Sequence, residues 1–360
     1  MEKFRVGILG ATGMVGQQFV RLLQGHPWFE VACLAASERS AGRTYGEAVE
    51  GRWAVEGGVP DGIASMVVRQ VGEVEAIGGE VDFVFCAVAM DKEETRELED
   101  GYARREIPVV SANSAHRWTG DVPMIVPEVN PGHVEVIEWQ RRRLGTKRGF
   151  VAVKPNCSIQ PYVPALHALG EFGPRQVSVC TYQAVSGAGK TLDSWPEMVD
   201  NVIPFIGGEE EKSEREPLKI WGRMEGGRIV ESEGPMISAQ CVRVPVANGH
   251  LAAVSVSFAE KPAREEILEC WRGFRGRPQA LGLPSAPEPF LHYCEEEDRP
   301  QTRLDRDCGG GMGVALGRLR DDVLFDCRFV ALSHNTIRGA AGGAMLIAEL
   351  LCAERYIQPN

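Results

Sequence analysis

The chain opens with short apolar runs separated by glycine turns and by segments with helical spacing. Residues 4–9 predict a buried strand, and Gly10, Gly13 and Gly16 follow before a helical pattern that reaches residue 23. Further strands are predicted at 30–35, 81–88 and 108–111, with a helix over 91–104. Alternating strands and helices with tight glycine turns are the pattern of an α/β, Rossmann-type doubly wound parallel sheet. This pattern predicts a first domain over residues 1–152.

The texture then changes. Residues 149–153 read as a strand and 159–169 as a helix. Longer strand-like runs follow at 176–183, 241–246, 251–258 and 314–319, joined by Gly- and Pro-rich stretches such as 276–289. Long strands with few helices between them predict an α+β domain with a mainly antiparallel sheet over 153–333. One face of such a sheet needs cover, which a second subunit can supply. The Ala- and Gly-rich segment 336–356 predicts a helix packed back on the first domain.

Composition narrows the function classes. A chain of 360 residues has room for two domains. Its net charge of −11 argues against nucleic acid or an anionic membrane as the main partner. The basic run Arg141, Arg142, Arg143 with Lys147 and Arg148 reads as a solvated helix end. No apolar run is long enough to span a bilayer, and no leader-like apolar segment opens the chain. The ten cysteines are scattered singly, without a Cys-x-x-Cys pair. That is the usage of a reducing compartment, gives no metal site, and predicts a cytoplasmic address.

The candidate chemistry centres on Lys154-Pro155-Asn156-Cys157-Ser158, where a strand is expected to hand over to a helix. A thiol at the first turn of a helix would feel the positive end of the backbone dipole, which favours thiolate. The plainer alternative is a buried structural cysteine. The glycine turn at 10–16 follows a strand and opens a helix, so its N–H groups can meet a pyrophosphate. After the second strand, Ser37, Arg39 and Ser40 suit a 2′-phosphate and favour NADP over NAD. Glu38 would oppose that phosphate if it pointed inward. A thiol beside a nicotinamide suggests oxidoreduction of an aldehyde through a thioester. Arg243 and His250 flank a strand end; taken singly, they read as a surface ion pair and a loop histidine. The acid run 295–298 beside His292 and Cys294 reads as solvated, and Lys190 has no evident partner.

Together these motifs resemble the aspartate-β-semialdehyde dehydrogenase family, in its archaeal and fungal branch. The resemblance runs through Gly-Ala-Thr-Gly-Met-Val-Gly at 10–16, Ser-Ala-Asn-Ser-Ala-His-Arg at 111–117 and Val-Pro-Glu-Val-Asn-Pro at 126–131. It continues with Pro-Asn-Cys-Ser at 155–158, Gln-Ala-Val-Ser-Gly-Ala-Gly at 183–189 and Gly-Glu-Glu-Glu-Lys at 208–212. Arg243 with His250, and Ser-His-Asn-Thr-Ile-Arg-Gly-Ala-Ala-Gly-Gly at 333–343, complete the set.

The resemblance implies Cys157 as nucleophile, His250 as its acid/base and Gln183 as a further active-site residue. It implies that Arg243 clamps the substrate α-carboxylate and Glu209 takes its ammonium group, while Lys212 and Arg117 hold phosphate. Asn156 would help at the oxyanion. NADP would be bordered by Gly10, Thr12, Gly13, Met14, Val15, Ser37, Arg39, Ser40 and Cys86, and at its nicotinamide end by Ser186, Gly187 and Asn335.

The implied reaction converts L-aspartyl 4-phosphate to L-aspartate 4-semialdehyde, towards lysine, threonine and methionine, in a homodimer or dimer of dimers. The nearest rival is a malonyl-CoA or acyl-CoA reductase of the same superfamily, which needs neither the ammonium contact nor the free-phosphate site. N-acetyl-glutamyl-phosphate reductase is a further rival, but its Gly-Cys-Tyr-type motif is absent. A sensor on a degenerate dehydrogenase scaffold conflicts with the full set Cys157, Gln183, Arg243 and His250.

Overall fold

The computed structural model describes residues 2–360; Met1, included in the expected first domain, lies outside them. Strand β1 (Phe4–Leu9) is hydrogen-bonded between β2 (Phe29–Ala36) and β4 (Phe83–Cys86). With β3 (Arg69–Gln70), β5 (Val109–Ser111) and β6 (Val151–Val153) they make a six-stranded sheet, ordered β3-β2-β1-β4-β5-β6. Every pairing in it is parallel. The strand order reverses between β1 and β4, which opens a crevice at their carboxyl ends. Buried runs such as Phe83-Val84-Phe85-Cys86 reflect a sheet covered on both faces. Phe19 from the helix Met14–Leu22 stacks on Phe85 with ring centroids 4.4 Å apart.

The second sheet is mixed. It contains β7 (Pro174–Gln183), β10 (Met236–Arg243), β11 (His250–Phe258), β12 (Leu291–Cys294), β13 (Val314–Asp321) and β14 (Cys327–Ser333). The order is β10-β7-β11-β14-β13-β12; β7/β11, β11/β14 and β13/β14 are antiparallel, whereas the two edge pairings are parallel. A small hairpin, β8 (Arg223–Glu225) and β9 (Arg228–Val230), stands apart. Strict alternation of burial along His250–Phe258 shows one face packed and the other open. The strand expected at 241–246 instead spans Met236–Arg243, because Pro245 cannot donate to a ladder.

Two helical expectations change. The segment after Cys157 is broken into a 3₁₀ turn, Cys157–Ile159, a short helix, Val163–His167, and another turn, Gly170–Phe172. Pro161 and Pro164 lack the N–H groups that a continuous helix would use. At the C-terminus, a π-helical turn, Ile337–Ala341, precedes the helix Gly342–Ala353. That helix is buried almost throughout and shares a core with Val6, Ile8, Phe19 and Phe85. Its buried Glu349 meets His26 at 2.9 Å and accepts from the Ser285 backbone.

Candidate active site and cofactor cleft

The crevice at the strand reversal is a cleft of about 520 Å³. Gly10, Thr12, Gly13, Ser37, Arg39 and Ser40 line it, together with Arg43 and Arg52. Gly10 has φ +85°, and a Cβ there would lie 2.3 Å from the Ala87 carbonyl oxygen, so only glycine permits this turn. A Cβ on Gly16 would lie 2.2 Å from the Gly10 oxygen, which explains the close seat of the following helix. Glu38 does not line the cleft; its carboxylate accepts from Gln70 Nε2 at 3.0 Å. Three arginines and two serines around a glycine-rich turn fit a dinucleotide bearing an extra phosphate.

Met14 borders a neighbouring cleft, and Val15 is half-buried against the first-domain core. Cys86 is fully buried behind the cleft wall formed by Ala87, Val88, Ala89 and Met90, where its Sγ accepts from Asn113 Nδ2. This placement gives Cys86 no exposed surface with which to meet a cofactor, because its strand position points inward.

The second centre lies at one end of the mixed sheet. Gln183 ends β7 and is paired in register with Arg243, which ends the parallel strand β10. His250 starts the antiparallel β11, opposite Ser333 at the end of β14. Strand direction therefore gathers these side chains on one edge, and Cys157 approaches them from the loop after β6. His250 Nε2 lies 3.4 Å from Cys157 Sγ.

The other imidazole nitrogen, Nδ1, accepts from the Ala184 backbone N–H at 3.1 Å. Neutral His250 consequently carries its proton on Nε2 and offers it towards the sulfur. Burial, with the Arg243 charge added, lowers the His250 pKa to about 3. A second proton would have to sit on Nδ1, facing that same N–H.

The turn around Cys157 is tightly braced. Asn156 Nδ2 donates to both oxygens of Glu209, at 2.9 and 3.0 Å, while its Oδ1 accepts from the Ser158 backbone. The Asn156 amide is thus committed to Glu209. Glu209 also accepts from Lys212 Nζ at 2.7 Å and Gln183 Nε2 at 3.3 Å. Burial would raise its carboxyl pKa, but Lys212, Asn156 and Gln183 outweigh it and hold the carboxyl below its ordinary value. Arg117 donates to Glu216 at 2.8 Å and to the Lys154 carbonyl at 3.2 Å. Arg243 Nη1 donates to the Ala184 carbonyl at 2.7 Å.

The expected helix-dipole activation of Cys157 is corrected by the local geometry: a three-residue 3₁₀ turn supplies little aligned dipole. Burial raises the thiol pKa, Lys154 is the first charge to counter it, Glu209 opposes, and Arg117 and Arg243 assist. Glycines complete the packing. A Cβ on Gly187 would sit 2.8 Å from Arg243 Nη1 and 3.0 Å from His250 Nε2; one on Gly339 would sit 2.7 Å from Cys157 Cβ. Asn335 links the nicotinamide-side candidates, donating to Ser186 Oγ and accepting from the Gly249 N–H, each at 2.8 Å.

Comparison with known proteins now decides the family. Residues 5–137 match the semialdehyde dehydrogenase NAD-binding domain, and 164–338 match the semialdehyde dehydrogenase dimerisation domain. The aspartate-semialdehyde dehydrogenase of Archaeoglobus fulgidus is 44% identical over 99% of this chain and 100% of its own. The chain belongs to the aspartate-semialdehyde dehydrogenase family. The Candida albicans aspartate semialdehyde dehydrogenase crystallised with NADP superposes with TM-score 0.88 at 39% identity, covering 99% of this chain and 100% of that one. Aspartate semialdehyde dehydrogenase II of Vibrio cholerae, complexed with ASA, superposes with TM-score 0.74 at 26% identity, covering 98% of this chain and 99% of that one.

For this aspartate-semialdehyde dehydrogenase family member, sequence reasoning gave no role to Lys154 or Gly339, though both lie in quoted motifs, and overlooked Glu216 and Arg43. Glu209, Lys212 and Glu216 recur at intervals of three and four on the helix Glu209–Ile220, so a shared face was available as a signal. Gly339 lies inside a quoted motif, and Lys154 lies three residues before the thiol. Lys190, left without a partner, sits over the Trp195 ring at 4.1 Å.

Proposed function

We propose that this chain is an NADP-dependent aspartate-semialdehyde dehydrogenase, interconverting L-aspartyl 4-phosphate and L-aspartate 4-semialdehyde through an acyl-thioester on Cys157. The observation that carries the reading is the 3.4 Å approach of His250 Nε2 to Cys157 Sγ, at the edge shared with Gln183 and Arg243. The Cys157 thiolate attacks the acyl carbon, and phosphate leaves. His250 Nε2–H, at the same centre, donates a hydrogen bond to the developing oxyanion and, as the intermediate collapses, to the departing Cys157 thiolate. Arg243 presents a fork to the α-carboxylate, and ionised Glu209 attracts the α-ammonium. Lys212 and Arg117 supply positive charge for phosphate.

When bound, NADPH would supply the hydride equivalent in the biosynthetic direction. Gly10, Gly13, Ser37, Arg39 and Ser40 would hold the dinucleotide, with Ser186, Gly187 and Asn335 bordering its reactive ring. The product lies on the route towards lysine, threonine and methionine. No helix among the described residues is long and apolar enough to cross a membrane, in keeping with a cytoplasmic enzyme. The open face of the mixed sheet, with Tyr182 and Met236 exposed, suits self-association as a homodimer or dimer of dimers.

The test is a spectrophotometric assay with aspartate semialdehyde, phosphate and NADP. Succinic semialdehyde with phosphate, and malonyl-CoA with NADPH, run beside it. Turnover that needs both phosphate and the α-amino group supports the reading. Turnover confined to the CoA thioester would transfer the same cysteine chemistry to a reductase.

A further inference from the structure

Glu209 is a buried carboxylate whose acceptor positions are all taken. A carboxylate offers about four lone-pair positions, two on each oxygen. Oε1 accepts from Asn156 Nδ2 at 2.9 Å and from Lys212 Nζ at 2.7 Å; Oε2 accepts from Asn156 Nδ2 at 3.0 Å and from Gln183 Nε2 at 3.3 Å. A substrate ammonium can therefore reach this carboxylate only by taking the place of one of these donors. Two of them are fixed. Asn156 Oδ1 holds the Ser158 N–H at 2.7 Å, so its amide cannot leave without opening the cysteine turn. Gln183 is buried at the end of β7, and its Nε2 also donates to Thr181 Oγ1 at 3.2 Å. Lys212 is the mobile one: its side chain is 29% exposed and carries the ammonium on a flexible four-carbon stem.

Charge points to the same exchange. Burial pushes the Glu209 carboxyl up, and Lys212 is the foremost group that brings it back down. If Lys212 leaves, another cation must answer the buried carboxylate. An α-ammonium is such a cation, whereas a ligand without one leaves the lysine in place. Glu216 lies one turn beyond Lys212 on the same helix, Glu209–Ile220, and holds Arg117 at 2.8 Å. Arg117 and a released Lys212 thus belong to the same face of that helix. We propose that the substrate ammonium displaces Lys212 from Glu209, and that the displaced lysine is the form that binds phosphate. Recognition of the amino group and affinity for phosphate are then one linked equilibrium. Selectivity against deaminated aldehydes is expressed through phosphate binding.

The exchange rests on the proposed roles of Glu209 and Lys212, and two measurements separate its failure from theirs. The first is the phosphate KM of the wild-type enzyme with NADP and saturating aspartate semialdehyde, then with succinic semialdehyde, which lacks only the amino group. The second needs no turnover. NADP-loaded protein is titrated calorimetrically with inorganic phosphate alone, with saturating L-2-aminobutyrate, and with butyrate. Lys212→Met is carried through both, after a check for a native melting curve.

L-2-aminobutyrate should tighten phosphate binding about tenfold, and phosphate should tighten L-2-aminobutyrate by the same factor, since coupling is reciprocal. Butyrate should do neither. The phosphate KM should be about tenfold lower with aspartate semialdehyde than with succinic semialdehyde, and Lys212→Met should bring that ratio close to one. Equal phosphate affinity with and without L-2-aminobutyrate overturns the proposal, a result that stands even if the lysine variant fails to fold. So does coupling that survives in folded Lys212→Met, because the ammonium would then attract phosphate directly. Turnover of both aldehydes with equal phosphate KM would reject the exchange and keep the functional reading. Absence of turnover with either aldehyde, with the aminobutyrate coupling intact, would reject the functional reading and keep the exchange.

Discussion

The cofactor cleft and the thiol centre are built in opposite ways. The cleft is open and its key contacts are local: glycine backbone at 10–16, then side chains at 37–52 from the adjoining strand end. The thiol centre is enclosed, and its partners are remote in sequence. Cys157 and His250 are 93 residues apart, and Arg117 and Glu216 are 99. A backbone cradle tolerates much around it, so long as its glycines remain. A centre made of directional side-chain bonds depends on every partner, because an unpaired buried charge is costly.

The sharpest way to break this comparison is Cys157→Ala. Turnover should vanish while NADP binding, measured by fluorescence titration, stays within about twofold of wild type, since the two regions share no bond. Appreciable residual turnover would reject a covalent route. His250→Asn comes next, with kcat reduced about 10²–10⁴-fold.

The same variant tests acid stability. Folded His250 has its pKa pushed down to about 3 by burial and by Arg243, against an ordinary value of 6.5. Between those values the unfolded chain binds the extra proton and the native state does not. The stabilisation is therefore complete above pH 6.5 and is lost as pH falls towards 3. Urea midpoints at pH 7.5 and 5 should differ more for wild type than for His250→Asn.

Arg338→Met probes the packing behind the thiol. Arg338 is fully buried, donates to both oxygens of Glu128 at 2.7 and 2.6 Å, and bonds Gln160 at 3.0 Å. Leaving Glu128 alone should cost about 3–5 kcal/mol in denaturant unfolding. It should also loosen the π-helical turn that carries Gly339 onto Cys157. A loss under about 1 kcal/mol would show that this pairing is dispensable.

Arg243→Lys should raise the aspartate-semialdehyde KM about 10–100-fold with a smaller change in kcat, as a point charge replaces a fork. Equal saturation behaviour would remove Arg243 from the carboxylate site. The smallest effect belongs to the open cleft: Arg39→Ser should weaken NADP about tenfold and leave NAD nearly unchanged. Equal losses for both cofactors would show that Arg39 does not read the extra phosphate.

Much of the architecture could be read from pattern. The strand Phe4–Leu9 was expected at its observed limits, and the glycine turn after it suited a pyrophosphate in that context. β14 escaped because Cys327–Ser333, with Arg328 the one charged residue among mostly apolar ones, alternates only weakly. The break after Cys157 was legible in Pro161 and Pro164 but was outweighed by the apolar spacing around them. The thiol's neighbours were named mainly through family motifs, and their mutual bonds were not. Asn156, expected near the oxyanion, instead spends its amide on Glu209, a contact spanning 53 residues.

By itself, then, the sequence determined the alternation of strands and helices and the glycine cradle, while Cys157 was singled out among ten cysteines only through the family motif around it. The alternation and the cradle follow from local sterics and from periodicity, which act over a few residues. Tertiary structure alone decided that His250 is a neutral donor and that Glu216 braces the cysteine turn. Those properties depend on desolvation and on bonds between distant segments, and neither exists until the chain has closed on itself.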